Sequence, residues 1–113
     1  MSERSDTSFL MDINEAIRRI DVYIEKLSYE KFVEDIKTQD AVVRNLEIIG
    51  EATKNVSEEV KKKCPQIPWR DLAGVRDKLI HHYFGVNLDI VWNIVKGELP
   101  EIVLKLEEIL KNE

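Results

Sequence analysis

Apolar residues recur at three- and four-residue spacing along most of the chain, the period of a single helix face. The first run holds Phe9, Leu10, Ile13, Ala16, Ile17, Ile20, Tyr23, Ile24 and Leu27. It predicts an amphipathic helix of about five turns, with Asp6 or Thr7 as its N-cap. Residues 28–37 mix polar and apolar positions and fit one or two helical turns. Thr38 then reads as the N-cap of a second long helix, with Asp40 and Ala41 in its first turn. Its apolar set runs through Val42, Val43, Leu46, Ile48, Ile49, Ala52 and Val56 to Val60. This stripe is nearly continuous around Ile48 to Ala52, which implies contact on more than one side. Gly50 lies inside that helix, where glycine costs about 1 kcal/mol relative to alanine; close approach of another backbone is the expected compensation.

Pro65 and Pro68 bracket a break, because the residue before a proline is pushed out of helical angles. CPQIPW is therefore a loop, with Trp69 and Leu72 anchoring it to the core. A third helical run starts near Asp71 and passes through Val75, Leu79, Ile80, Tyr83 and Phe84 to Gly85. Asn87 caps a last helix that holds Leu88, Val91, Trp92, Ile94, Val95, Leu99, Ile102, Val103, Leu106, Ile109 and Leu110, with Pro100 kinking its middle. No strand-like alternation competes with this pattern. The expectation is an all-α, antiparallel bundle of four to five helices forming one domain over residues 1–113. So much apolar surface on a small bundle either forms its core or, in part, supports a homodimer.

Composition agrees with long helices: 113 residues, 43% hydrophobic and 35% charged, with four Gly and three Pro. One cysteine, Cys64, closes no intrachain disulfide, and with two histidines it is too sparse for a structural zinc site. No metal or other cofactor is called for. The N-terminal MSERSDTSF lacks the apolar core of a signal peptide, and no segment offers the roughly 18 apolar residues of a membrane span. The expected location is cytoplasmic, away from membranes. Net charge is −5, which disfavours an extended basic surface. The charge is unevenly spread, however. Between residues 61 and 83, six cations (Lys61, Lys62, Lys63, Arg70, Arg76 and Lys78) face Asp71 and Asp77, a balance of +4 that leaves −9 for the rest. Lys61 to Lys63 read as the solvated end of a helix, favourable to its dipole.

Chemistry concentrates in one place. Both histidines stand in Arg76-Asp-Lys-Leu-Ile-His81-His82-Tyr83. On an ideal helix, Arg76 and Tyr83 share a face, and Asp77 sits one turn before His81, where it can orient the imidazole. RNA carries its own nucleophile, the 2'-hydroxyl. A base, an acid and a cation for the charged phosphorane suffice to cleave it. His81 titrates in the required range, and Arg76 offers a bidentate fork to phosphate oxygens. One imidazole does not readily hold both protonation states, so a two-fold dimer would supply the second. Other readings of the same residues stay open: Asp77 with His81 as an ordinary surface pair, and Tyr83 with Phe84 as core aromatics in a plain structural bundle.

The segment Ile67-Pro-Trp-Arg-Asp-Leu-Ala-Gly-Val-Arg-Asp-Lys-Leu-Ile-His-His-Tyr-Phe-Gly-Val-Asn-Leu-Asp-Ile-Val-Trp92 closely resembles the HepT-like branch of the HEPN superfamily. It matches that family's Arg-x4-His-x-Tyr motif at Arg76, His81 and Tyr83. Arg44-Asn-Leu-Glu-Ile-Ile-Gly-Glu-Ala52 is similar to its second-helix signature. The resemblance implies a metal-independent endoribonuclease toxin, active as a homodimer with the motif at the dimer cleft. It further implies a partner, a small MNT-type nucleotidyltransferase antitoxin that transfers AMP to the motif tyrosine, here Tyr83, within a homodimer or a larger hetero-oligomer. Arg76 and His81 are then catalytic and Tyr83 the control point, where added phosphodiester charge blocks RNA docking. Asp77 fills the polar place after the motif arginine, and Lys78 and His82 stand as supporting residues, His82 with an RNA contact at most. The alternative function is a noncatalytic helical partner or regulatory subunit of the nucleotidyltransferase, a reading the acidic charge favours.

Overall fold

The computed structural model describes residues 5–80 and 87–112, and of Arg76, Leu79 and Ile80 the backbone only. Among the described residues the chain is all α-helical, without strands. Helix α1 (Asp6–Ile24) starts at Ser5, whose hydroxyl accepts from the Ser8 N–H at 3.2 Å. The cap expected at Asp6 or Thr7 thus lies one or two residues earlier. Asp6 bonds elsewhere: its carboxylate accepts both the N–H and the hydroxyl of Ser57, each at 2.8 Å. Helix α2 (Tyr29–Glu34) supplies the short helical turns expected after α1. Helix α3 (Ile36–Asn55) begins earlier than expected. Its cap is Asp35, which accepts the Thr38 N–H at 3.0 Å and hydroxyl at 2.6 Å. The cap assigned to Thr38 therefore belongs to Asp35, a stronger acceptor because it is charged.

The second long helix also ends sooner than its apolar pattern suggests. Val56 turns extended (ψ 137°), and Ser57 caps a separate helix α4 (Glu58–Lys63) through the Val60 N–H at 3.2 Å. Ser57 offers the backbone a local alternative to continued helix, and Asp6 fixes that choice by holding Ser57 from outside. Lys61 to Lys63 do form the basic last turn of α4, opposite Glu58 and Glu59 in its first, as the dipole favours. After the proline loop come α5 (Trp69–Ala73) and α6 (Val75–Ile80). They are separated at Gly74 instead of forming one run from Asp71. Trp69 and Leu72 are buried as expected, and the indole N–H donates to the Cys64 carbonyl at 2.9 Å.

Asn87 caps α7 (Leu88–Asn93) as expected, accepting the N–H groups of Asp89 and Ile90. A π-helical turn (Ile94–Glu98) then leads into α8 (Leu99–Lys111), with Pro100 in the first turn of α8. The expected mid-helix break at Pro100 thus takes the form of a π turn just before it. Proline has no N–H for the carbonyl one turn back, and its ring crowds that carbonyl. Widening the turn relieves both problems, and the Leu99 N–H bonds to Ile94 instead.

α1 lies at the centre, packed on α3 and on α8, and α3 in turn carries α5 and α6. Both neighbours run antiparallel to α1. Asp6 at its start meets Ser57 beyond the end of α3. Lys96, before α8, reaches the Ile24 carbonyl at the end of α1, while Glu107 late in α8 pairs with Arg18. Leu10, Ile13, Ile17 and Ile20 from α1, Val42, Leu46 and Ile49 from α3, and Leu99, Ile102 and Leu106 from α8 form the shared core, all 3% exposed or less. α2 is fastened to α7: Phe32 is fully buried with its ring 5.1 Å from that of Trp92, and the Tyr29 hydroxyl donates to Asp89. Among the described residues, no helix is long and apolar enough to cross a membrane.

Candidate active site

The arginine of the Arg-x4-His-x-Tyr motif is carried by α6, and α3 fixes where α6 stands. Gly50 is buried at the contact. A Cβ built on it would lie 3.5 Å from the backbone oxygens of Leu72 and Ala73 and from Val75 Cγ1. The second-helix glycine is therefore a packing residue, as expected, over which α5 and α6 cross close to α3. Val75 is 3% exposed. With its side chain held in the core, the following residues are turned outward: Asp77 and Lys78 are exposed.

Gly74 closes α5 and opens α6. Its N–H donates to the Arg70 carbonyl at 3.1 Å, and the Lys78 N–H donates to the Gly74 carbonyl at 3.1 Å. The backbone of residue 76 is thus part of a helix tied to both α5 and α3, while the Arg76 side chain lies outside the described residues, as do His81, His82 and Tyr83. What the structure fixes is the frame: α6 up to Ile80 on one side, and the Asn87-capped start of α7 on the other. The α7 side is held by Tyr29 and Phe32 through Asp89 and Trp92. Donation to Asp89, with the negative charge of that carboxylate, raises the Tyr29 phenol above its ordinary value. Tyr29, Asp89, Trp92 and Asn93 line a shallow cleft of about 390 Å³. The sequence did not flag this anchor, since its partners are 60 residues apart.

The second-helix signature has two faces. Gly50 serves α5 and α6, whereas Arg44, Ile48 and Glu51 line a groove of about 240 Å³ with Phe9 and Asp12 of α1. Between these faces Asn45 is 4% exposed. Its amide donates to the Ala41 carbonyl at 2.9 Å, and its oxygen has no hydrogen-bond partner among the described residues. Among the described residues, no three His, Cys, Asp or Glu side chains gather to hold a metal.

A family model described as "Ribonuclease HepT-like" matches residues 13–109, a span that includes both signatures. The chain belongs to the HepT-like ribonuclease family. A protein of Methanocaldococcus jannaschii named "Putative RNase MJ0127" is 45% identical over 112 residues, covering 99% of this chain and 93% of the relative. One of Thermococcus cleftensis named "Probable ribonuclease HepT" is 47% identical over 96% of this chain and 99% of the relative. "Putative RNase TTE0752" of Caldanaerobacter subterraneus subsp. tengcongensis is 48% identical over 80% of each. No solved structure matches. The all-α bundle is the fold that the HepT-like resemblance implied, and the family match covers the frame of α3, α5, α6 and α7 around the motif.

Proposed function

We propose that this HepT-like protein is a metal-independent endoribonuclease, the toxin of a toxin-antitoxin pair, working as a homodimer in the cytoplasm. The observation that carries the reading is the family match across residues 13–109, which spans Arg76, His81 and Tyr83. Curated relatives named as ribonucleases support it. The 2'-hydroxyl of RNA attacks the adjacent phosphorus while a His81 imidazole takes its proton. Arg76 holds the phosphate oxygens and offsets their growing charge. The 5'-oxygen leaves with a proton from an imidazolium, which the His81 of a second copy supplies. The products are a 2',3'-cyclic phosphate and a 5'-hydroxyl. Asp77 orients His81, with Lys78 and His82 as flanking contacts to RNA.

Control falls on Tyr83. A cognate MNT-type nucleotidyltransferase transfers AMP from ATP to its hydroxyl with release of pyrophosphate, and the added charge repels RNA phosphate beside Arg76. The test is in two parts. Coexpression with the nucleotidyltransferase gives a chain heavier by AMP, with the adduct on Tyr83. The unmodified protein cleaves RNA, while Arg76→Ala and His81→Ala variants do not. Cleavage that survives both substitutions contradicts the catalytic assignment. An adduct on Tyr83 with no cleavage by any unmodified preparation favours the second reading, a noncatalytic partner of the nucleotidyltransferase, to which the net charge of −5 lends support.

A further inference from the structure

The cations of residues 61–78 stand out in a chain with 22 acidic and 17 basic residues. In the structure, members of this set line one open groove of about 560 Å³ between α4 and α5. Lys61 and Lys62 come from the last turn of α4 and Arg70 from the first turn of α5. Pro68, Ala73 and the largely buried Trp69 line the groove as well. Two carboxylates share the groove, Glu58 and Asp71.

The pairing among these charges is uneven. Glu58 engages Lys61 at 3.8 Å, and Glu59 engages Lys63 at 3.3 Å. The Lys61 side chain is only 18% exposed, so its stem is packed and its ammonium held in place. Lys62 and Arg70 are exposed and make no ion pair among the described residues. Among the described residues the groove therefore carries two cations without an ion pair, although acids outnumber bases in the chain as a whole. Arg70 also lies on α5, the helix that leads by way of Gly74 into α6 and residue 76.

We infer that the α4–α5 groove is a second RNA-binding site, a track that holds the single-stranded flank of the substrate through Lys62 and Arg70. The inference rests on the ribonuclease reading above and extends it beyond the motif. Two cations without ion pairs among the described residues, set along one open groove, suit the phosphates of a single strand. Asp71 is an acceptor placed among these donors. It disfavours phosphate at its own position but accepts from a ribose 2'-hydroxyl, a group that DNA lacks.

The test compares wild-type protein with the Lys62→Ala/Arg70→Ala double variant on a 20-nucleotide single-stranded RNA and on a dinucleotide, across a salt series. Both substitutions are at exposed positions, and equal melting temperatures establish that the fold is kept. On the long RNA, the variant should lose about tenfold in kcat/KM through KM. Its log–log salt slope should flatten by about 1.4, at roughly 0.7 per phosphate contact on a single strand. Turnover of the dinucleotide, too short to reach the groove, should be unchanged. Equal losses on the two substrates, or an unchanged salt slope, would overturn the inference while leaving the ribonuclease reading in place. Anisotropy with a labelled, uncleavable 2'-O-methyl RNA provides a measurement independent of catalysis. Weaker binding by the double variant supports the track even if no preparation cleaves RNA, a result that would count against the ribonuclease reading alone. Unchanged RNA binding together with lost capture of the nucleotidyltransferase would overturn the track and make the groove a protein-docking surface.

Discussion

Gly50 ties the packing of α3 to the position of the motif arginine, and two substitutions there should part in opposite directions. A Cβ at this position would lie 3.5 Å from the backbone oxygens of Leu72 and Ala73 and from Val75 Cγ1, which is ordinary van der Waals contact. Gly50→Ala therefore fits without moving α5 or α6. It removes the glycine penalty in a helix interior, about 1 kcal/mol, and the unfolding temperature should rise by about 4 °C for a domain of this size. Valine extends a further bond of about 1.5 Å into a space already at contact distance, between carbonyl oxygens that cannot rotate away. Gly50→Val should cost about 1–3 kcal/mol by overpacking and push α6 from α3. RNA cleavage should fall with it, because residue 76 moves with α6. Thermal unfolding and kcat/KM, measured on both variants, give the answer. A destabilising Gly50→Ala would refute the spacing on which this rests, and a fully active Gly50→Val would break the link between that spacing and the motif.

Other outcomes follow from the same structure. Phe32→Ala, which empties a fully buried site against Trp92, should cost about 3–5 kcal/mol in denaturant unfolding. Asn87→Ala removes the acceptor for the first N–H groups of α7. A loss of about 1 kcal/mol and reduced turnover are expected, since this cap closes the far side of the motif frame. Bonding to the Thr38 hydroxyl, and then to its N–H, holds the Asp35 carboxyl below its ordinary value. The stability from its charge is present above the usual aspartate range, near 3.9, and is lost as pH falls through the depressed value. The advantage of wild type over Asp35→Asn should thus be flat near neutral pH and shrink in acid titrations of stability.

Much of the bundle was legible because burial wrote itself into spacing. Leu10, Ile13, Ile17, Ile20 and Ile24 repeat at helical intervals and are all buried, and Asn87 stood before an apolar run as a capping residue should. Boundaries were less legible, for reasons outside the local pattern. Val56 and Val60 continue the apolar stripe of α3, yet the helix stops at Asn55 because Asp6, about fifty residues earlier, holds Ser57. Asp35 outcompetes Thr38 as a cap although both are good capping types. At Pro100 the sequence marked a problem for the helix but not its solution by a π turn.

The site divides the same way. Asp77 and Lys78 follow a buried Val75, so their outward placement could be read from one apolar residue and the helical period. Gly50 was recognisable as a contact residue without any indication of what it touches. The anchoring of α7 by Tyr29 and Phe32, and the lining of one groove by both Lys62 and Arg70, depend on elements brought together by the bundle. No window of sequence contains them.

The most direct test of the central claim is the chemistry of the cut. Purified, unmodified protein is incubated in EDTA with an RNA whose cleavage site has been mapped, and with the same strand carrying a single 2'-deoxy nucleotide 5' to the scissile phosphate. Cleavage of the all-RNA strand with 2',3'-cyclic phosphate and 5'-hydroxyl ends is expected, and none at the deoxy position. Cleavage at the deoxy position, 5'-phosphate ends, or loss of all activity in EDTA would contradict the claim.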